Sequence, residues 1–165
     1  MPTLPKLTEE RTTYVALLTL FLSLFAGFSW YKSHQRQPIT LKPFDLALLG
    51  FATFRLGRLA TYDKVTEPLR RPFTRTKPDP SGVGDTVAPR GAGMQRALGE
   101  LFACPICTGT WIAAMLVYGL NLIPGPTRAF LGMMSAIGIA ELLNAATEAL
   151  QWTGAAERRE AGAKS

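Results

Sequence analysis

Residues 12–31 read TTYVALLTLFLSLFAGFSWY, twenty positions without a formal charge between Arg11 and Lys32. At about 1.5 Å of rise per residue this helix is roughly 30 Å long, the thickness of a bilayer's hydrocarbon core. A second uncharged run, Leu101 to Thr127, lies between Glu100 and Arg128. Two such runs in 165 residues point to a small polytopic membrane protein. The mean hydropathy of only +0.12 conceals them because apolar and charged residues are segregated along the chain. A secretory signal peptide is the rival reading of the first run. No clean small-x-small cleavage site follows its apolar core, Val15 to Phe28, and Trp30 and Tyr31 suit an interfacial aromatic anchor instead.

The remaining chain divides by its breakers and charges. Phe44 to Phe54 is apolar apart from Asp45, but Arg55 and Arg58 follow at once. Residues 39–59 are therefore either a span whose arginines reach an interface or a helix lying on the surface. Residues 73–97 carry Pro78, Pro80 and Pro89 with four glycines, which predicts a flexible loop. Within it, Gly82-Val83-Gly84 has no preceding strand and no following Lys-Ser/Thr, so it reads as a turn and not as a phosphate cradle. Pro124-Gly125-Pro126 turns the chain into a last helix. Along that helix Gly132, Ala136 and Ala140 form a small-residue ridge suited to close helix contact. Glu141, Asn144 and Glu148 continue as a polar stripe, and a short charged tail from Gly154 should fray. The expected fold is all-α: one membrane domain over 1–165, with three to four transmembrane helices near 12–31, 39–59, 103–123 and 127–150. An irregular cytoplasmic loop completes it.

The net charge of +6 sits mostly beside these spans, where basic residues meet anionic headgroups and set orientation. With four spans, the N-terminus, the 60–100 region and the C-terminus share one side. That side holds all 18 Lys and Arg except Lys32, Arg36, Lys42 and Arg128, so both termini are expected in the cytoplasm. With three spans the Arg-rich loop and the C-terminus still fall together. No nucleic-acid motif accompanies the charge, and nucleic acid is not an expected partner.

Two constellations carry chemistry. Cys104-Pro105-Ile106-Cys107 stands at a predicted helix start, where backbone amides and the helix dipole favour thiolate and hence metal ligation or redox exchange. A closed zinc site needs about four ligands. This chain has two cysteines and one histidine, His34, which falls on the opposite side in the four-span topology. A zinc site at Cys104 and Cys107 would therefore be shared between chains, in a homodimer. A plain packing role stands beside the metal and redox readings. The second constellation is Arg55, Arg58, Asp63, Glu67, Arg70 and Arg71. On one continuous helix Asp63 and Glu67 are i,i+4 neighbours, and Glu67 can pair with Arg70 or Arg71. Alternatively Arg55 and Arg58 sit in the membrane and pair with Glu141 or Asp63, while Arg70 and Arg71 bind lipid phosphates. Trp111 reads as packing or an anchor, and Met133 and Met134 as core. A single histidine leaves no Ser/His/Asp triad and no paired-His metal motif.

The order of these pieces resembles an uncharacterised bacterial family. They are Phe54-Arg55-Leu56-Gly57-Arg58-Leu59, then Asp63 to Phe73 with Arg70-Arg71-Pro72-Phe73, then Gly99-Glu100-Leu101 and Cys104-x-x-Cys107-Thr108-Gly109-x-Trp111. The family consists of small membrane proteins carried as a domain of unknown function, one branch of which is labelled sporulation proteins. The resemblance covers residues 45–125 and implies a bacterial plasma-membrane protein without an established activity. The reading that follows is a non-enzymatic binding or assembly protein with a cytoplasmic-face Cys pair and Arg/Asp cluster. The alternatives are a membrane thiol-disulfide oxidoreductase using Cys104 and Cys107 and, more remotely, a phage-type pore former.

Overall fold

A computed structural model describes residues 4–36, 38–78 and 85–163. It is dominated by α1 (Leu4–His34), α2 (Pro43–Tyr62), α5 (Pro105–Leu122) and α6 (Pro124–Ala163). Between α2 and α5 lie a 3-10 turn (Lys64–Thr66), the single-turn α3 (Glu67–Arg70), strands β1 (Thr74–Pro78) and β2 (Asp85–Pro89), and α4 (Met94–Ala103). Three helical stretches are long and apolar enough to cross a membrane: Thr8–His34, Pro105–Leu122 and Pro124–Gly154. The chain is thus a helical membrane protein.

The segment with the ambiguous reading, α2, is the centre of the bundle. It starts where Pro43 supplies a preset φ behind Lys42, and the Asp45 carboxylate accepts from the Lys42 amide at 3.4 Å. Its Leu49 and Ala52 form the core with Leu116 and Leu120 of α5 and Leu131 of α6. Ser135 of α6 donates to the Leu48 carbonyl at 2.7 Å, which draws the two backbones together. At the opposite end from the Cys pair, Arg128 of α6 pairs with the buried Asp45 at 3.3 Å.

Four expectations are corrected. The 73–97 stretch is not an irregular loop throughout: β1 and β2 pair antiparallel, Thr74 opposite Pro89 and Pro78 opposite Asp85, and the Gly82-Val83-Gly84 turn lies outside the described residues. The last helix does not fray at Gly154 but continues to Ala163. Asp63 ends α2 with extended backbone, so Asp63 and Glu67 do not share a continuous helix. Finally, Gly132, Ala136 and Ala140 do not form the packed ridge. A Cβ on Gly132 would meet nothing within 4 Å, and both alanines are exposed. The buried face is Thr127, Leu131, Ser135 and Gly138, one step around the helix.

Candidate functional site

The end of α2 organises the first constellation. The Thr66 hydroxyl donates to the Leu59 carbonyl at 2.6 Å, and Arg70 donates to the carbonyls of Asp63 at 2.6 Å and Tyr62 at 3.4 Å. A cation at the carbonyl end of a helix is favourable, because unsatisfied acceptors and the dipole both point there. This tight turn aims the Asp63 carboxylate back at Arg55, 2.6 Å away. Arg58 then lies on the same face of α2 as Arg55. Its Nε reaches Glu141 of α6 at 2.7 Å, with Arg55 Nη1 at 3.7 Å from the same carboxylate. The Arg58 guanidinium also covers the rings of Phe54 and Tyr62, at 5.8 and 5.6 Å. Of the two pairings read from the sequence, that of Arg55 with Asp63 and of Arg55 and Arg58 with Glu141 is the observed geometry. Glu67, Asn144 and Glu148 are exposed and outside it.

The Cys pair is held at the same end. Chain direction changes between α4 and α5, and Cys104 caps α5 by accepting from the Cys107 amide at 3.2 Å. The two sulfurs are at disulfide distance, with Cα atoms 5.3 Å apart. Gly57 lets α2 approach this corner: a Cβ there would lie 2.6 Å from the Pro105 carbonyl oxygen. Arg58 and Ile106 consequently line one apolar groove of about 790 Å³. A second groove of about 590 Å³ is lined by Tyr14, Glu100, Cys107 and Trp111, and Trp111 meets Phe21 of α1 edge to face at 5.2 Å. Among the described residues no group of three or more His, Cys, Asp or Glu side chains stands together.

Sequence reading did not anticipate what fastens α1. The Tyr14 hydroxyl donates to Glu100, Arg96 pairs with Glu100 at 3.1 Å and approaches Glu10 at 3.9 Å, and the Met94 amide donates to Glu9 at 3.3 Å. The one local signal is the i,i+4 spacing of Arg96 and Glu100. The partners on α1 lie some 86 residues away, beyond any helical periodicity. Nor was the hairpin's docking foreseen: Phe73 stacks on Phe102 of α4 at 5.7 Å, and Gly99 is tight against the Phe73 carbonyl. Met134 packs against the core as expected, whereas Met133 is exposed.

With this geometry in hand, comparison with known proteins gives consistent results. The pattern of a family described as "Protein of unknown function (DUF1360)" matches residues 48–147, from the first turns of α2 to the Glu141 region of α6. Sporulation protein YjcA of Bacillus subtilis (strain 168) is 31% identical over 101 residues, covering 59% of this chain and 86% of its own. UPF0713 protein YngL of the same organism is 27% identical over 101 residues, covering 60% and 75%. No solved structure matches.

Proposed function

The chain belongs to the DUF1360 family of proteins of unknown function, and from that premise we propose that it is a non-enzymatic binding or assembly protein of the bacterial plasma membrane. In this reading α2 is a fourth span. Its 20 residues match the 18 of α5 in length, and its charges turn toward α6 and the following turn, where ion pairing offsets their cost at depth. The Arg-rich end then faces the cytoplasm with both termini, the orientation that the positive-inside bias favours for this distribution of Lys and Arg.

One observation carries the proposal. The Arg55–Asp63 and Arg58–Glu141 pairs and the Cys104–Cys107 corner meet at a single end of the bundle, across the Gly57 contact. Around them stand Val65, Leu69 and Ile106, 85%, 76% and 82% exposed, so the corner combines fixed cations with unpartnered apolar side chains. Such a surface suits a partner seated at the membrane boundary. A photo-crosslinking residue placed at Ile106 or Val65 in the native membrane should yield discrete adducts. The same probe at Leu24, half-exposed on α1, provides the comparison for bulk lipid. Identical products at all three positions would overturn the proposal.

A second reading, thiol-disulfide exchange, is favoured by the sulfur placement and by Cys107 lining the groove beside Trp111. Reduction of a partner's disulfide would take two electrons and two protons from the Cys104–Cys107 dithiol and leave it oxidised. A Cys107→Ser chain should then trap a mixed disulfide through Cys104. Thiols that stay reduced under mild oxidants and trap nothing would eliminate it.

A further inference from the structure

The segment that connects α2 to α4 encloses a small polar cavity of about 250 Å³ with an unusual balance of charge. Arg70, Arg71, Thr74, Arg75, Thr76 and Arg90 line it, with Glu67 as the one carboxylate in its wall. Arg70 is 4% exposed, and its hydrogen bonds run to two carbonyls and the Thr66 hydroxyl, so no anion neutralises it there. Among the described residues none of the four arginines is ion-paired. Strand register places Asp85 opposite Pro78, at the far end of β1 from Thr74.

The frame around the cavity is fixed. The Thr74 hydroxyl donates to the Arg70 carbonyl at 3.0 Å, the Arg90 amide donates to the Phe73 carbonyl at 2.7 Å, and Gln95 donates to the Pro72 carbonyl at 2.7 Å. Four arginines against one carboxylate leave the lining with an excess of positive charge, which an anion in the cavity would offset. Guanidinium forks and hydroxyl donors match the several oxygens of a phosphate group. Arg70 and Arg71 of its wall follow the exposed apolar Leu69 in the chain, so the cavity lies where headgroups of anionic lipids stand if that end of α2 meets the membrane boundary.

We propose that this cavity is a phosphate-binding site, formed by Arg70, Arg71, Arg75 and Arg90 with Thr74 and Thr76, that takes the phosphate of an anionic lipid headgroup or free phosphate. The inference rests on the binding-protein reading above and names its ligand class. It goes beyond the sequence expectation for Arg70 and Arg71 by recruiting the hairpin and Arg90.

The test uses the full chain in neutral detergent, with added phosphatidylglycerol, phosphatidylcholine or inorganic phosphate, read by native mass spectrometry and thermal unfolding. Retention of phosphatidylglycerol over phosphatidylcholine is expected. It should weaken by roughly tenfold or more in an Arg71→Gln/Arg75→Gln/Arg90→Gln variant, all three side chains being exposed, and stay unchanged in Lys77→Gln outside the cavity. Competition by inorganic phosphate would identify phosphate itself as sufficient; its absence, with lipid retention intact, would assign the site to the headgroup. Equal retention of both lipids with no thermal shift from phosphate would overturn the site, as would an equal loss in Lys77→Gln. Discrete adducts at Ile106 or Val65 alongside such a result would leave the binding-protein reading standing without this ligand.

Discussion

Glu141 is the side chain on which two helices depend at their charged end. Arg58 holds it at 2.7 Å and Arg55 stands 3.7 Å away, while Arg55 is also bound by Asp63. Removing the carboxylate leaves two cations facing α6 with one partner between them. Glu141→Gln should therefore destabilise the chain in detergent or bilayer by about 1–3 kcal/mol, the range for breaking a partly buried pair. Arg55→Gln should cost more than Arg58→Gln, since Arg55 is the less exposed of the two, 19% against 45%, and serves both carboxylates. Reversible unfolding of the three variants checks the order, and equal losses for Arg55 and Arg58 would contradict it. Much of this cluster was legible in the sequence. Arg55 and Arg58 at i,i+3 must share a face, and charges beside an apolar run need partners. The choice between Asp63 pairing forward along a helix and backward onto Arg55 was not legible. It depends on the Thr66 and Arg70 hydrogen bonds that break the helix at Asp63, and these form only once the turn has folded.

At the scale of helices, existence was easier to read than facing. Uncharged runs announced α1 and α5 because the bilayer demands length and apolarity, and the Pro124-Gly125-Pro126 turn with the helical spacing after it announced α6. Which side of α6 packs was misread for a physical reason. Lipid tails are as apolar as a protein core, so periodicity of hydrophobicity does not mark the buried stripe, and small residues occur on both faces. The packed glycine is Gly138, where a Cβ would lie 2.6 Å from the Phe51 carbonyl oxygen. Gly57 makes the equivalent approach between α2 and the start of α5. Because each opposing atom belongs to backbone, neither contact can yield by a side-chain rotation. Gly57→Ala and Gly138→Ala are each expected to cost about 1–3 kcal/mol, whereas Gly132→Ala, facing open space, should be neutral or slightly stabilising through helix propensity. Thermal unfolding of the three variants reads this directly; a Gly132→Ala loss as large as the others would restore the ridge that the fold rejects. The hairpin was hidden for another reason. Its strands hold two prolines and lysine, threonine or arginine positions without a clean apolar alternation, and their stability comes from docking on α4 through Phe73, Phe102 and Gly99.

For the whole molecule, the question is how many times the chain crosses, and α2 decides it. The ion pairs place Asp45 of α2 beside Arg128 of α6 at one end, and Arg55 and Arg58 beside Glu141 at the other. The same stretch of both helices therefore runs side by side: 13 residues separate Arg128 from Glu141 and as many separate Asp45 from Arg58, about 20 Å of rise in each. A surface-lying α2 would have to break both ends of this alignment and uncover Leu49 and Ala52. If α2 spans, the α1–α2 connector and the β-hairpin lie on opposite sides of the membrane; if it does not, they lie on the same side. Single cysteines introduced as Ser33→Cys and Lys77→Cys in a Cys104→Ser/Cys107→Ser background distinguish the two cases with a membrane-impermeant thiol reagent on intact cells. Both positions are exposed. Labelling of Ser33→Cys from outside and of Lys77→Cys only after lysis is the expected outcome, placing the Arg-rich end in the cytoplasm. Labelling of both from the same side would remove α2 from the bilayer. The Arg55, Arg58 and Glu141 cluster would then be an interfacial salt-bridge network and not an intramembrane one, and the cost predicted for Glu141→Gln would shrink toward that of a surface pair.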